Sequence, residues 1–396
     1  MHHPASSRRN GAIDAFRAIT MFLMLFVNDM AGLVGVPHWL KHAKVDEDMM
    51  GFSDLVFPAF LFCVGLAVPL AIQARARRGA DPISLLSHVA WRTVALVVMG
   101  IFTLHCENVS GGMGYGWYSL LMVAAFVLVW NDYPRSPAVW HRCMVGTLKA
   151  AGVALLIFLA IDRDIHHNPL TVGWWGILGL IGWTYAVSAL IYIFSRGRMR
   201  PIAAAWAVVM LLAVVSSTSL IPRDSGLRFL LLPFVPGGWT LHALGVTGVL
   251  TTVVMQRLQR PANNQRLLLL LFLSGAAMLA AVLTAHPYWI ISKIQATPTW
   301  IFFCLALFLP LLGLLHWVVD VRHWSRWLRP ISAAGTCTLT CYMIPYVWYA
   351  VQSLTGWWWP DPFNGGWAGL ARSAVFAFAV VWLAGALSRI HVKLKL

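Results

Sequence analysis

Apolar residues run along this chain in long blocks separated by short polar stretches, and most blocks are as long as a bilayer is thick. A helix needs roughly 20 apolar residues to cross a hydrocarbon core of about 30 Å. On that basis twelve spans are predicted, at about 12–36, 52–73, 88–105, 116–131, 144–161, 174–195, 201–220, 237–256, 266–285, 299–320, 331–354 and 367–388. The fourth and fifth are short, and aromatic or snorkelling ends extend such segments to the interface. No connection leaves room for a soluble domain. The expected fold class is therefore all-α: a polytopic membrane helical bundle of about twelve transmembrane helices, one domain over residues 1–396.

Composition agrees: of 396 residues 59% are hydrophobic, only 11% are charged, and 21 are Trp. The basic excess, 29 Lys and Arg against 14 Asp and Glu, would suit nucleic acid in a soluble protein, so its location decides its meaning. Every second connection is basic: Arg8 and Arg9; Arg75, Arg77 and Arg78; Arg135 and Arg142; Arg196, Arg198 and Arg200; Arg257, Arg260 and Arg266; Arg322, Arg326 and Arg329; Arg389, Lys393 and Lys395. The alternate connections hold only Lys41, Lys44, Arg163, Arg223, Arg228 and Lys293. By the positive-inside rule both termini are cytoplasmic, and the net charge of +15 is a topology signal, with no nucleic-acid partner implied. The N-terminal apolar run is too long for a signal peptide and lacks a small-residue cleavage site, so it is expected to remain as the first span. The six cysteines lie mostly inside apolar runs with no C-x-x-C pair, and read as small hydrophobes.

Polar residues within or beside spans carry the candidate chemistry, because they are costly there and face the bundle interior or a cavity. Asp14 and Arg17 open the first span on one helix face. They form either an anchoring ion pair or a charge for an anionic ligand entering from the cytoplasm. The most polar passage, "VPHWLKHAKVDEDMMGFSDLVFP" (36–58), lies between the first two spans on the outer side. Asp54 alone reads as a helix cap. Together with Asn28 and His42 it makes an amide, an imidazole and a carboxylate that converge at one depth, the set that proton transfer to or from a nucleophile needs. His38 and His42 stand four apart, but no third metal ligand has recognisable spacing, so no metal is expected. Three further outer stretches, 162–176, 285–300 and 355–367, are rich in Trp, Tyr and Asn. An aromatic belt at the membrane surface explains most of this, and the same rings beside Asp and Asn also suit a sugar, whose C–H faces stack on them.

The elements "IDAFRAITMFLMLFVND", "KHA", "SDLVFPAFLFCVGLAVPLAI" and "AWRTVALVVMGI", with the later "TPTWIFFCLALFLPLLGLLHWVVDV" and "AAGTCTLTCYMIPYVWY", resemble the membrane domain of heparan-alpha-glucosaminide N-acetyltransferases, within the wider transmembrane acyltransferase superfamily. The order of the D-x-F-R, V-N, K-H-A and D-L-V-F-P elements carries the resemblance. It implies a bundle that takes acetyl-CoA on the cytoplasmic side and passes the acetyl group to a terminal glucosamine on the other. The catalytic histidine of K-H-A corresponds to His42, the asparagine of V-N to Asn28 and the aspartate of D-L-V-F-P to Asp54. The chain departs where a family helix beginning P-G-V-L-Q-R reads "GILGLIG" (176–182), and where a G-x-N-S element reads Gly335, Thr336, Cys337, Thr338. Spans four and five, about 116–161, resemble an insertion relative to the animal enzymes, whose large lumenal domain has no counterpart. The chain is most similar to bacterial members related to proteins described as N-acetylglucosamine transporters, which implies the bacterial inner membrane.

Two functions are therefore open. In an acetyltransferase, acetyl-CoA as cosubstrate has its nucleotide end among cytoplasmic arginines, Arg17 and Arg92 first, with Asp14 beside them. His42 is then the base, Asp54 its orienting partner and Asn28 the donor to the thioester oxyanion or a positioning group; an acetyl-histidine intermediate and direct transfer both remain open. In a carrier for N-acetylglucosamine, the same polar pocket only binds sugar, but the halves show no convincing repeat. An amino sugar and membrane lipids are the expected partners, and a homodimer is left open.

Overall fold

The computed structural model describes residues 11–107, 113–134, 136–218, 238–258 and 263–396; Arg8, Arg9, Arg135, Arg223, Arg228 and Arg260 lie outside the described residues. Among the described residues there are thirteen α-helices and, instead of sheet, two isolated bridges. The helices are α1 (Gly11–Met30), α2 (Phe52–Ala76), α3 (Pro82–Cys106), α4 (Gly114–Trp130), α5 (Val139–Ile165), α6 (Gly176–Phe194), α7 (Met199–Ser216), α8 (Gly238–Arg257), α9 (Asn264–Ala285), α10 (Pro298–Leu315), α11 (Ser332–Thr336), α12 (Thr338–Thr355) and α13 (Gly366–Arg389). Each of the twelve expected spans contains a helix among the described residues, and ten of the helices there are long and apolar enough to cross a membrane. The fold is a polytopic all-α membrane bundle.

Several boundaries differ from expectation, among them the start of the third span, which is at Pro82 and not near 88. The first span ends at Met30, not near 36, because Gly35 takes φ +67° and Val34 leaves the helix to pair with Gly365. The eleventh is broken at Cys337 into α11 and α12. There Gly335 packs against α1, and the Thr338 hydroxyl bonds back to the Ala334 carbonyl at 3.0 Å, a local bond that competes with regular helix. The fifth, expected at 144–161, runs from Val139 to Ile165.

Helix α1 sits centrally, against α2, α10, α11, α12 and α13. Its first amides are capped from a distant element: Asp320, in a π-helical turn extending α10, accepts from Gly11 N–H at 2.9 Å and Ala12 N–H at 3.3 Å. Helix α2 lies against α8 almost backbone to backbone, since a Cβ on Gly65 would fall 1.8 Å from the Gly245 carbonyl oxygen. Such small-residue crossings replace the hydrophobic drive that lipid cannot supply. Contacts between chain-distant termini define two ends. At the basic end Gln73, Tyr192 and Gln256 meet through hydrogen bonds of 2.8 to 2.9 Å, and Lys393 and Lys395 pair with residues 130–132. At the opposite end residues 31–51 meet 286–297, and Val34 meets Gly365.

Candidate active site

The loop from 31 to 51 is a built structure, although it contains only one 3-10 turn, His38–Leu40. Lys41 Nζ donates to the Leu33 carbonyl at 3.0 Å, and Ser53 Oγ donates to the Leu40 carbonyl at 2.6 Å. His38 bonds Glu47, which also accepts the Lys44 N–H at 3.0 Å. The hydrogen bonds from His38 and Lys44 hold the Glu47 carboxyl below its ordinary range. The 286–297 loop closes over this one: Asp48 pairs with His286 at 2.8 Å and accepts the Ile291 N–H at 2.8 Å, and Gln295 donates to the Val45 carbonyl at 2.7 Å. Gly51 caps α2 where the chain doubles back, and a Cβ there would fall 1.9 Å from the Lys41 carbonyl oxygen. Only glycine fits this approach, which sets residues 41–43 across the first turn of α2.

His42 and Asp54 are thereby brought together. His42 Nδ1 lies 2.6 Å from Asp54 Oδ1, and Asp54 Oδ2 accepts the Ala43 N–H at 2.9 Å. Asp54 is buried, its side chain 2% exposed, whereas the His42 side chain is 43% exposed. A carboxylate facing Nδ1 favours the tautomer that donates from Nδ1, which leaves the Nε2 lone pair as the base. A third charge lies beside the pair. Lys293 Nζ, from the 286–297 loop, is 3.2 Å from His42 Nδ1 and 3.5 Å from Asp54 Oδ1. Sequence reading counted Lys293 only as a loop charge; its distance of 251 positions from His42 hides the contact.

Asn28, expected with these two, is exposed at the end of α1, and its side chain makes no hydrogen bond within the described residues. Its neighbour Asp29 is instead the hub of a buried cluster. It accepts from Arg372 Nη2 at 2.9 Å, Ser373 Oγ at 2.6 Å and Tyr349 OH at 2.8 Å, tying α1 to α12 and α13. An arginine inside an apolar run, Arg372, was the sequence signal for this cluster. His38 and His42 do not form a pair, because the helical turn ends at Leu40 and each ring turns to a different acid. Among the described residues no group of three His, Cys, Asp or Glu is placed to hold a metal.

At the basic end a cavity of about 440 Å³ opens between α1, α2, α3, α6 and the residues around the α11–α12 break. That volume is in the range of small-molecule sites. Arg17 and Arg92, expected together as ligand-binding residues, both line it, and Lys393 and Lys395 of the C-terminal segment add two further cations. Asp14 ties down one side of Arg17, pairing with Nη2 at 2.8 Å. Arg92 stacks over Tyr185, 4.5 Å from the ring centroid, and the Nε atoms of both arginines are buried without a hydrogen-bond partner. Guanidinium groups in a cavity wall suit phosphate oxygens, which they can bind through two parallel N–H donors. The lining climbs from Ala71 to Phe60 on α2 and from Arg17 to Met24 on α1.

Residues 9–169, which contain His42, Asp54, Asn28, Arg17 and Arg92, match the model of a domain of unknown function, DUF5009. The heparan-alpha-glucosaminide N-acetyltransferase of Mus musculus is 26% identical over 184 residues, 40% of this chain and 27% of that protein. The enzyme of the same name from Homo sapiens is 35% identical over 105 residues, 26% of this chain and 15% of that protein. The aligned part thus spans about a quarter or less of the length of these relatives. Within it, the resemblance to heparan-alpha-glucosaminide N-acetyltransferases expected from the sequence elements is borne out.

Proposed function

We propose that this protein is a transmembrane acetyltransferase, acting as one unit in a bacterial inner membrane with its basic end cytoplasmic, that moves an acetyl group from acetyl-CoA to an amino sugar at the opposite face. The observation that carries the reading is the His42–Asp54 contact of 2.6 Å, a buried carboxylate orienting a half-exposed imidazole at the end of a spanning helix. The similarity to two N-acetyltransferases supports the reaction class.

In this reading the phosphates of the donor lie against Arg17 and Arg92, with Lys393 and Lys395 beside them. The thioester arm rises along α2 towards His42. His42 Nε2 takes a proton from the sugar amine as its nitrogen attacks the thioester carbonyl. The N–C bond forms, the C–S bond breaks, and the proton on the imidazole passes to the departing thiolate. Asp54 holds the ring in the tautomer this needs, and Asn28, with its side chain unbonded, serves as donor to the oxyanion.

The test is acetylation of labelled amino sugars by purified protein with acetyl-CoA. His42→Ala is expected to abolish transfer while thermal stabilisation by CoA persists, because the nucleotide end binds at the other end of the bundle. Arg17→Ala or Arg92→Ala should weaken CoA binding by about 1.5–3 kcal/mol, the range of a charge-assisted hydrogen bond. If wild type acetylates no amino sugar yet carries N-acetylglucosamine into vesicles, and His42→Ala carries it equally well, the enzyme reading fails and a carrier takes its place.

A further inference from the structure

We propose that Lys293 is a positioning residue for His42: its ammonium neutralises Asp54 in the resting site and so keeps the imidazole in its neutral, proton-accepting form. The inference rests on His42 acting as a base, as argued above. With Nδ1–H pointing at Asp54, no lone pair is left on Nδ1 for Lys293 to donate to, so the 3.2 Å contact between Nζ and Nδ1 is not a simple hydrogen bond. It is a cation set beside a ring that must itself become cationic when it accepts a proton. Asp54 alone, buried at 2.6 Å, would favour the imidazolium and hold it, removing the lone pair on which the chemistry depends. Lys293, 3.5 Å from the same oxygen, offsets that pull.

The loop is built to deliver this side chain. Ala296 sits at φ +50°, an unfavourable region for a residue with a Cβ, in a turn closed by its own N–H to the Lys293 carbonyl at 3.1 Å. Thr297 braces that turn, donating from Oγ1 to the Ile290 carbonyl at 2.8 Å and accepting the Ser292 N–H at 3.2 Å. Docking of the loop does not need Lys293, because the Asp48, Gln295 and Ser292 contacts already hold it to residues 45–48. Burial pulls the Lys293 ammonium below its ordinary range, with the Asp54 charge opposing. The other titratable groups around the pair are accounted for. Cys304 of α10 is buried and faces both Asp54 and Lys293, Lys41 is bonded to the Leu33 carbonyl, and Asp48–His286 and Glu47–His38 are paired with each other.

The test titrates His42 directly, without relying on acetyl transfer. The full-length purified protein is treated with diethyl pyrocarbonate, which acylates neutral imidazole, over a series of pH values, and modification of His42 is followed by peptide mass spectrometry. Lys293→Met, with Lys293→Gln as the polar second variant, should raise the midpoint of His42 reactivity by about one pH unit or more, the scale of removing a neighbouring like charge. Lys293→Arg should leave it near wild type. The acid limb of kcat/KM for acetylation should move with the midpoint, a shift that a purely structural role for Lys293 would not give. A midpoint unmoved in both neutral variants, or raised as much by Arg, overturns the proposal. A Lys293-dependent midpoint in a protein that transfers no acetyl group sinks the enzyme reading alone. Transfer with a Lys293-independent midpoint sinks the role of Lys293 alone.

Discussion

Asp54→Asn replaces the carboxylate facing His42 with a carboxamide of nearly the same shape, and the surrounding bonds dictate how it must sit. The Ala43 N–H, 2.9 Å from Oδ2, can bond only to an oxygen, so the carboxamide oxygen takes that place. The NH2 group then occupies the position of Oδ1, 2.6 Å from His42 Nδ1 and 3.5 Å from Lys293 Nζ. Two donors cannot share that contact. The imidazole must move its proton to Nε2, and the lone pair that would serve as base is turned inward to the amide. In the Ser-His-Asp triad the same tautomer error lowers kcat by about 10⁴, which at 1.36 kcal/mol per decade is about 5.4 kcal/mol of barrier. Here a fall of about 10³–10⁴ in kcat for acetyl transfer is expected. CoA-dependent thermal stabilisation should be unchanged, since the nearest cavity-lining residue on α2, Phe60, is six residues on, about 9 Å at 1.5 Å per residue. The assay is steady-state acetylation beside thermal unfolding with and without CoA. A kcat within tenfold of wild type, with the Ala43 amide still protected from hydrogen exchange, would refute Asp54 as the group that orients His42.

Three further outcomes do not depend on the reaction. Asp29→Ala leaves the Arg372 guanidinium, 11% exposed, without its carboxylate, and should cost about 3–5 kcal/mol of stability in detergent, read by chemical denaturation. Gly65→Ala should destabilise by about 1–3 kcal/mol or more, because the new methyl meets the Gly245 carbonyl rather than a movable side chain. Because the Glu47 carboxyl is held below its ordinary 4.5, its bonds stabilise the 38–47 loop fully above that value; the stabilisation is lost as pH falls through the lowered folded value. The protection factor of the Lys44 amide, its exchange rate relative to the intrinsic rate at each pH, should therefore fall on acidification more in wild type than in Glu47→Gln.

The spans were legible because apolar run length follows from the bilayer itself, which acts on every residue alike. His42 with Asp54 was also within reach, since the loop that joins α1 to α2 runs into the helix that carries Asp54, and Arg17 and Arg92 stood out as arginines inside the apolar runs of α1 and α3. What sequence could not give were contacts closed by distant chain: Lys293 on His42, Arg372 on Asp29, and Lys393 and Lys395 in the wall of the basic cavity. Gly51 was equally hidden. Its role depends on the Lys41 carbonyl lying against it, which no local pattern encodes. The break at Cys337 was missed because Thr338 and Gly335 are ordinary in spans, and only the approach of Gly335 to α1 gives the interruption a purpose.

The two polar centres share α2, and that helix measures the step between them. From Ala71 at the basic end of the cavity to Asp54 is seventeen residues, about 25 Å of helix. The cavity lining already covers the part up to Phe60, so only the last turn and a half separates it from the pair. Pro58 stands in that interval. It has no N–H to give to the carbonyl four residues back, which is that of Asp54 itself, so α2 lacks one helical bond between the cavity and the pair. A regular helix would resist displacement there, whereas one lacking this bond can bend at little further loss. Pro58 thus puts the weakest turn of α2 between the basic cavity and His42, while Gly51 and the paired loops hold the His42–Asp54 contact above it.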